Sequence, residues 1–224
     1  MSTYMPRQPE PEYMDGPEEA EAYAFSDFSE VNQAFVQRLL ELVPEERALT
    51  AVDLGTGPGD IPVRVCLARR AWHVVGVDAS EAMLVYARRR SLQAGVTERI
   101  DWVRVDAKHT GLPSHSFDVV FSNSILHHVN DTDAFWTELK RLAKPGAAVL
   151  LRDLYRPPTP EAARRIVETY GGVGPKRMQE DYYRSLLSAY TPGEVHSQLV
   201  RAGLDMLRVE KITDRHMDVF GRLK

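Results

Sequence analysis

Cysteine is nearly absent: the 224 residues contain one, Cys66. A lone thiol excludes an internal disulfide framework, and within a helical pattern it reads as a small buried apolar group. Scarce cysteine fits a reducing compartment, so a cytoplasmic location is expected. No apolar run is long enough to cross a bilayer, and no basic-then-apolar stretch opens the chain. Neither sign of charge dominates. A net charge of −4 gives no global basic field to draw nucleic acid or acidic lipid, so neither is an expected partner, although a local basic patch stays open. Cysteine and histidine do not recur at zinc-ligand spacing, and no metal is expected. What remains is ordinary globular composition, 43% hydrophobic, at a length that allows one well-packed domain with decorations.

The most informative stretch is Ala51-Val-Asp-Leu-Gly-Thr-Gly-Pro-Gly-Asp60. Small and β-branched residues suggest a buried strand, and a sharp turn through Gly55, Thr56, Gly57 and Gly59 leads into a helical pattern. Such a turn lets a ligand approach the backbone, and the helix N-terminus behind it offers unpaired N–H groups. A dinucleotide fingerprint places its third glycine about five positions after the first. Here Gly59 follows Gly55 by four. Asp53, two residues before the loop, would repel a pyrophosphate and attract an ammonium group. A tight β–α turn that holds no ligand is the plain alternative. An acidic residue followed by G-x-G-x-G resembles the first motif of the class I S-adenosylmethionine-dependent methyltransferases.

Around this motif strand and helix patterns alternate. We read a helix over 31–43 with Val31, Phe35, Leu39 and Leu42 at helical intervals, ending near Pro44. Strands are expected at 49–54, 73–78, 99–106, 116–124 and 147–155, and helices at 60–70 (Asp60 as N-cap), 80–95 (Ser80 capping, Gly95 closing) and 132–143. Residues 157–190 read as two helices split by a glycine-rich break, and 191–203 as a helix opened by a Thr191–Glu194 capping box. Two alternating segments at the end could pair as an antiparallel hairpin at a sheet edge. The expected fold is α/β: a Rossmann-like, doubly wound sheet of seven strands, mostly parallel with an antiparallel C-terminal strand. Residues 1–30 form a leader and possible cofactor lid: 1 to about 20 are Pro/Glu-rich and exposed or loosely docked, with Tyr4, Tyr13 and Met14 as points where part folds down, and 18–30 look helical or turn-like. The single domain is then 31–224, with the helical insert at 157–190.

Several residues fall where chemistry is expected. Asp78 ends the second strand, 23 residues after Gly55, where an acid can accept two ribose hydroxyls, or cap the next helix. Ala79 and Met83 could touch an adenine face, and Met83 is equally a core residue. Under the resemblance, Asp106 receives the adenine amino group and the Ala107 N–H a ring nitrogen. Asp118 is expected to orient backbone rather than ligand. Asn123 and Ser124 leave the fourth strand, where Asn123 can turn a carbonyl towards the ammonium of methionine. His127 and His128 are consecutive and should face different ways, and we favour His127 as the substrate-facing one. Arg152, Asp153, Tyr155 and Arg156 leave the fifth strand. They either pair among themselves or line the pocket, with an Arg as a carboxylate fork and Asp153 as a base. Asp214-Arg215-His216 has the same ambiguity, and Tyr182, Tyr183 and Arg184 shape a lid or pack a core. Tyr23 and His128 complete the candidate acceptor contacts.

The resemblance, strong over 31–155 and topological over 191–222, implies S-adenosylmethionine as cofactor and methyl transfer to a small-molecule acceptor. The Asn/Asp-Pro-Pro-aromatic motif common among enzymes that methylate base amines is absent at 122–128. Two rivals stay open: a non-catalytic module that binds the same cofactor, and a nicotinamide-dependent oxidoreductase.

Overall fold

The structure is a computed structural model that describes residues 4–12, 16–171 and 176–224. Tyr13, Met14 and the glycine-rich break beyond Gly171 lie outside them.

Two helices come first, α1 (Pro17–Phe25) and α2 (Ser29–Leu42). The chain then runs β1 (Leu49–Leu54), α3 (Asp60–Ala68), β2 (Trp72–Asp78), α4 (Glu81–Gln93), β3 (Ile100–Arg104), β4 (Phe117–Asn123), α5 (Thr132–Leu142) and β5 (Ala143–Leu154). Three helices follow, α6 (Pro160–Tyr170), α7 (Lys176–Ser188) and α8 (Pro192–Arg201), and then β6 (Arg208–Lys211) and β7 (His216–Arg222). Among the described residues these strands make one seven-stranded sheet in the order β3-β2-β1-β4-β5-β7-β6. Strand β7 runs against both neighbours, with Leu150 opposite Phe220 and Val209 opposite Val219; the other pairings are parallel. The doubly wound sheet read from the sequence is the fold observed.

Successive side chains of a strand point to opposite faces, and here both faces are covered. Val52, Val120, Val149 and Leu151 pack against Phe135, Trp136 and Leu139 of α5 and Val195 and Leu199 of α8. Ala51, Val119, Phe121 and Leu150 pack against Phe35 and Leu39 of α2 and Ile61 and Val65 of α3. Strands buried on both faces read as continuous apolar runs, which is why β1, β4 and β5 stand out in the sequence.

Local signals mostly hold. Ser80 accepts from the Met83 N–H, and the Thr191–Glu194 capping box is complete. Three differ. Val31 is exposed, so α2 buries Phe35, Val36 and Leu39 instead. The N-cap of α3 is Gly59 in a left-handed conformation, and Asp60 is the first helical residue, paired with Arg64 and Arg90. Strand β5 starts at Ala143, four residues early, because Ala143 pairs with Phe117 before the register shifts across Phe117/Val119.

The order of winding positions the site. From β1 the chain builds outward through β2 to β3, then returns to place β4 on the other side of β1. The loops leaving β1 and β4 therefore diverge from adjacent strand ends, the crevice where open α/β sheets take ligands.

Candidate active site

The loop after β1 is held from several sides. The N–H groups of Gly55 and Thr56 both donate to Val77 O at 2.9 Å, and the Gly57 N–H donates to Asp78 Oδ2 at 2.7 Å. Gly55 has φ +73°, and a Cβ there would collide with the Ile125 side chain, so only glycine serves. Asp53 is 2% exposed. Its Oδ2 accepts from the Thr56 hydroxyl at 2.7 Å, while its Oδ1 is buried without a partner. Burial pushes the Asp53 carboxyl up to about 7, opposed by the Thr56 hydrogen bond and assisted by the nearby charge of Asp78. Asp78 closes β2 and also receives the Ser80 N–H at 2.9 Å through Oδ1.

Beyond β4, Ser124 sits at φ +58°, a left-handed conformation unusual for a side-chain-bearing residue, with its N–H on Arg152 O at 2.8 Å. The turn that follows carries the two histidines. His127 is 4% exposed, and its Nδ1 lies 2.5 Å from Asp153 Oδ1. Asp153 Oδ2 receives the N–H groups of Leu126 at 2.5 Å and His127 at 3.3 Å, and Oδ1 receives the Leu154 N–H at 2.6 Å. Burial alone would lower the His127 pKa, but the charge and hydrogen bond of Asp153, helped by Glu10, outweigh it and hold it above the ordinary imidazole value. Burial and the neighbouring His127 push His128 down to about 4.

Helix α1 lays Tyr23 over the glycine loop. Its Cε1 lies 3.9 Å from where a Gly57 Cβ would stand, and its ring leans on Phe28 at 5.0 Å. Burial, with Asp153 and Asp78 adding, pushes the phenol up to about 12, so it stays protonated. One residue thus faces the glycine loop within the fields of both carboxylates.

A glycine-bent β1–α3 loop, an acid closing β2 and a polar turn leaving β4 converge at one sheet end. Residues 52–151 match the family model described as a methyltransferase domain. Over that stretch the chain is similar to this family. A 27-O-demethylrifamycin SV methyltransferase of Amycolatopsis mediterranei is 26% identical over 184 residues, 82% of this chain and 64% of that protein. A ubiquinone biosynthesis O-methyltransferase of Hahella chejuensis is 34% identical over 139 residues, 60% of this chain and 56% of that one. This chain therefore spans less than two thirds of either curated relative. A crystal structure of a SAM dependent methyltransferase from Aquifex aeolicus superposes with a TM-score of 0.70 at 20% identity, covering 93% of this chain and 99% of that one.

S-adenosylmethionine is the methyl donor of that family, and the cradle of this chain fits it. The orphaned Asp53 Oδ1 suits the ammonium of an amino-acid tail, and the loop between Asp53 and Asp78 is open on the Gly57 side except for Tyr23. Ala79 stands half-buried after β2, its carbonyl accepting from Arg104 Nε at 3.3 Å, and Met83 is buried in the first turn of α4. Strand β3 ends at Arg104, so Asp106 and the buried Ala107 stand in the turn beyond it rather than in the strand. Asp106 Oδ1 receives the Lys108 N–H at 2.8 Å, and its Oδ2 lies 3.2 Å from Lys108 Nζ. Asn123 ends β4, half-buried beside the crevice.

The structure sorts the residues after β5. Arg152 is not a carboxylate fork for an acceptor: it donates at 2.7 and 2.9 Å to the fully buried Asp218. The two are register partners across β5 and β7, so their side chains share the α2 face, away from His127. Arg156 is likewise structural, bonded to Met5 O, Ala189 O and Glu194. Tyr155 packs into the core under Lys211, with its hydroxyl 3.5 Å from Thr213 O. Asp153 has its oxygens taken by three N–H groups and an imidazole, so it positions His127 and is not a base. Asp118 orients backbone as expected, receiving the Thr50 N–H and hydroxyl and Lys144 at the far end of the sheet. In the 213–216 turn, Asp214 accepts from the Tyr170 hydroxyl and Arg215 stacks on the Tyr170 ring at 3.3 Å. Tyr182 and Tyr183 pack with Leu154, Ala163 and Leu186 in a small third core.

Two expectations change. The histidines do not diverge: their ring centroids lie 4.2 Å apart and both reach Glu10 Oε1. Tight turns at 125–129, with His128 N–H on Ile125 O and Val129 N–H on Leu126 O, replace the helical geometry that would have separated them. Residues 4–12 are also not a loose leader. Arg7 donates to Ser188 O, His127 O and Asn130, and stacks on Tyr190 at 4.1 Å; Gln8 N–H donates to Leu187 O; Glu12 pairs with Lys108 at 2.9 Å. Arg7, Glu10 and Glu12 have no sequence signal beyond their charge, since each partner is more than ninety residues away.

Proposed function

We propose that this protein transfers a methyl group from S-adenosylmethionine to a small-molecule acceptor held between Tyr23, His127 and His128. The observation that carries the reading is Asp53 Oδ1, a buried acceptor without a partner at the head of the glycine loop. A buried carboxyl is costly unless a cation completes it, and an ammonium does. Under this reading Asp53 takes the amino-acid tail, Asp78 the ribose hydroxyls, and Asp106 with the Ala107 N–H the adenine edge. Ala79 and Met83 give that edge an apolar floor, and Asn123 and Ser124 offer backbone at the methionine end. The donor supplies an electrophilic sulfonium methyl that needs no further activation. The protein's work is then to align the acceptor and exclude water. Tyr23 and the 4–12 strap close the site from above.

Where the acceptor must lose a proton, His127 Nε2 takes it. Asp153 on Nδ1 sets the tautomer and ring orientation that this requires. The names of the relatives, a rifamycin and a ubiquinone-pathway methyltransferase, support a small-molecule acceptor over nucleic acid. The net charge of −4 agrees. Among the described residues no helix is long and apolar enough to cross a membrane. Scarce cysteine, one residue in 224, supports a cytoplasmic location.

The test is calorimetry with S-adenosylmethionine, followed by a screen for S-adenosylhomocysteine release against pooled small-molecule acceptors. Tight cofactor binding with release on some acceptor is the expected result. Tight NAD binding without S-adenosylmethionine binding ends the reading, and cofactor binding with no release in any acceptor class reduces the protein to a binding module.

A further inference from the structure

The leader brings a carboxylate against the two consecutive histidines. Glu10 Oε1 is buried and has no hydrogen-bond partner. It stands 3.6 Å from His127 Nε2 and 3.5 Å from His128 Nδ1, and one donor atom from each residue lies within 4.8 Å of the other two. Hydrogen bonds of this type close to about 2.7–3.2 Å. The same imidazole does close to 2.5 Å on its other side, against Asp153. A shared proton between Glu10 and His127 would draw them together in the same way. Glu10 instead keeps from each imidazole nitrogen about the separation of two corners in a coordination shell, since ligands about 2.1 Å from a tetrahedral ion stand roughly 3.4 Å from each other.

The chemistry and the backing agree with that geometry. Two imidazoles and a carboxylate are a common donor set for zinc and its first-row neighbours. Imidazoles that bind metal have their second nitrogen held by a carboxylate or carbonyl. Asp153 does this for His127 and is itself anchored by the Leu126 and His127 N–H groups. The Pro11 carbonyl lies 3.1 Å from the same His128 nitrogen that faces Glu10, so it is no second-nitrogen backing, and an ion must displace the proton shared there. Linear spacing gives no hint of this group, because Glu10 lies far from the histidines along the chain.

We propose that Glu10, His127 and His128 bind one divalent transition-metal ion of the zinc class, tying the strap to the turn after β4. Binding itself does not depend on the methyl-transfer reading, although its use does. Under that reading the ion and an acceptor proton compete for His127 Nε2, so the general-base role belongs to the ion-free protein.

The experiment uses the full chain, stripped with chelator and titrated with CoCl2. One equivalent of Co2+ with visible d–d absorption, displaced by Zn2+, is expected. Glu10→Gln and His128→Ala should each weaken Co2+ by at least about tenfold, with far-UV dichroism unchanged. Limited proteolysis should show cleavage within 4–12 slowed by the ion in the parent and not in Glu10→Gln. Absence of stoichiometric binding overturns the proposal, and so does Co2+ affinity unchanged in both variants, since the ion is then held elsewhere. Calorimetry with S-adenosylmethionine on the same samples separates the two readings. Co2+ binding without cofactor binding leaves the metal site and removes the methyl-transfer reading, and cofactor binding without Co2+ does the reverse.

Discussion

The two sides of the crevice are built differently. The side proposed for the cofactor, from Asp53 to Asp78, is made of strand ends, a glycine bend and backbone N–H groups. Its parts lie close in sequence, and the turn geometry fixes them. The side proposed for the acceptor is made of side chains from distant segments: Glu10 from the strap, Tyr23 from α1, His127 and His128 from the β4 exit and Asp153 from β5. Local backbone geometry defines the first, and only packing assembles the second.

That contrast predicts separable effects. The largest should come from the acceptor side. His127→Gln should lower turnover by about 10²–10⁴-fold while S-adenosylmethionine affinity, read by calorimetry, stays within twofold. A loss of cofactor affinity instead would merge the two sides. On the cofactor side, Asp78→Ala removes two hydrogen bonds to a charged group, together worth about 3 kcal/mol, and should weaken S-adenosylmethionine by roughly 100-fold. Unchanged affinity would show that the donor does not sit on this loop.

A smaller effect follows from Asp53. Its carboxyl is raised to about 7 by burial, with Asp78 adding and Thr56 opposing. The ammonium requires the anion, so affinity should rise about tenfold between pH 6 and 8, and Asp53→Asn should flatten that rise. Stability of the unliganded protein runs the opposite way. A raised folded pKa favours folding at low pH, and this contribution is lost as pH rises through about 7. Urea unfolding of Asp53→Asn at pH 8 should therefore show a gain where donor binding shows a loss. The smallest effect is expected from Arg7→Ala, which frees the strap from Ser188 and His127. Acceptor KM should rise a few fold with donor KM unmoved; a change confined to donor KM would assign the strap to the cofactor instead.

Much of the fold was legible because its signals are local. Apolar runs marked β1, β2, β4 and β5, Ser80 and Thr191 marked helix starts, and Gly55 to Gly59 marked the bend. The donor cradle could be proposed from the same stretch. Arg152 was ambiguous because strand pairing, not its neighbours in sequence, places Asp218 opposite it. Residues 4–12 read as loose because proline and glutamate give no apolar periodicity, and Arg7 and Glu12 are satisfied only by residues far along the chain.

By itself the sequence determined the doubly wound sheet and the place of its crevice, since strand and helix periodicity and tight turns are encoded within a few residues. Only the tertiary structure decided which charged side chains pair away in the core, as Arg152 does with Asp218, and which meet at the site, as Glu10 does with His127 and His128. Those encounters depend on strand register and on where a distant segment docks, and neither is written in the spacing of neighbouring residues.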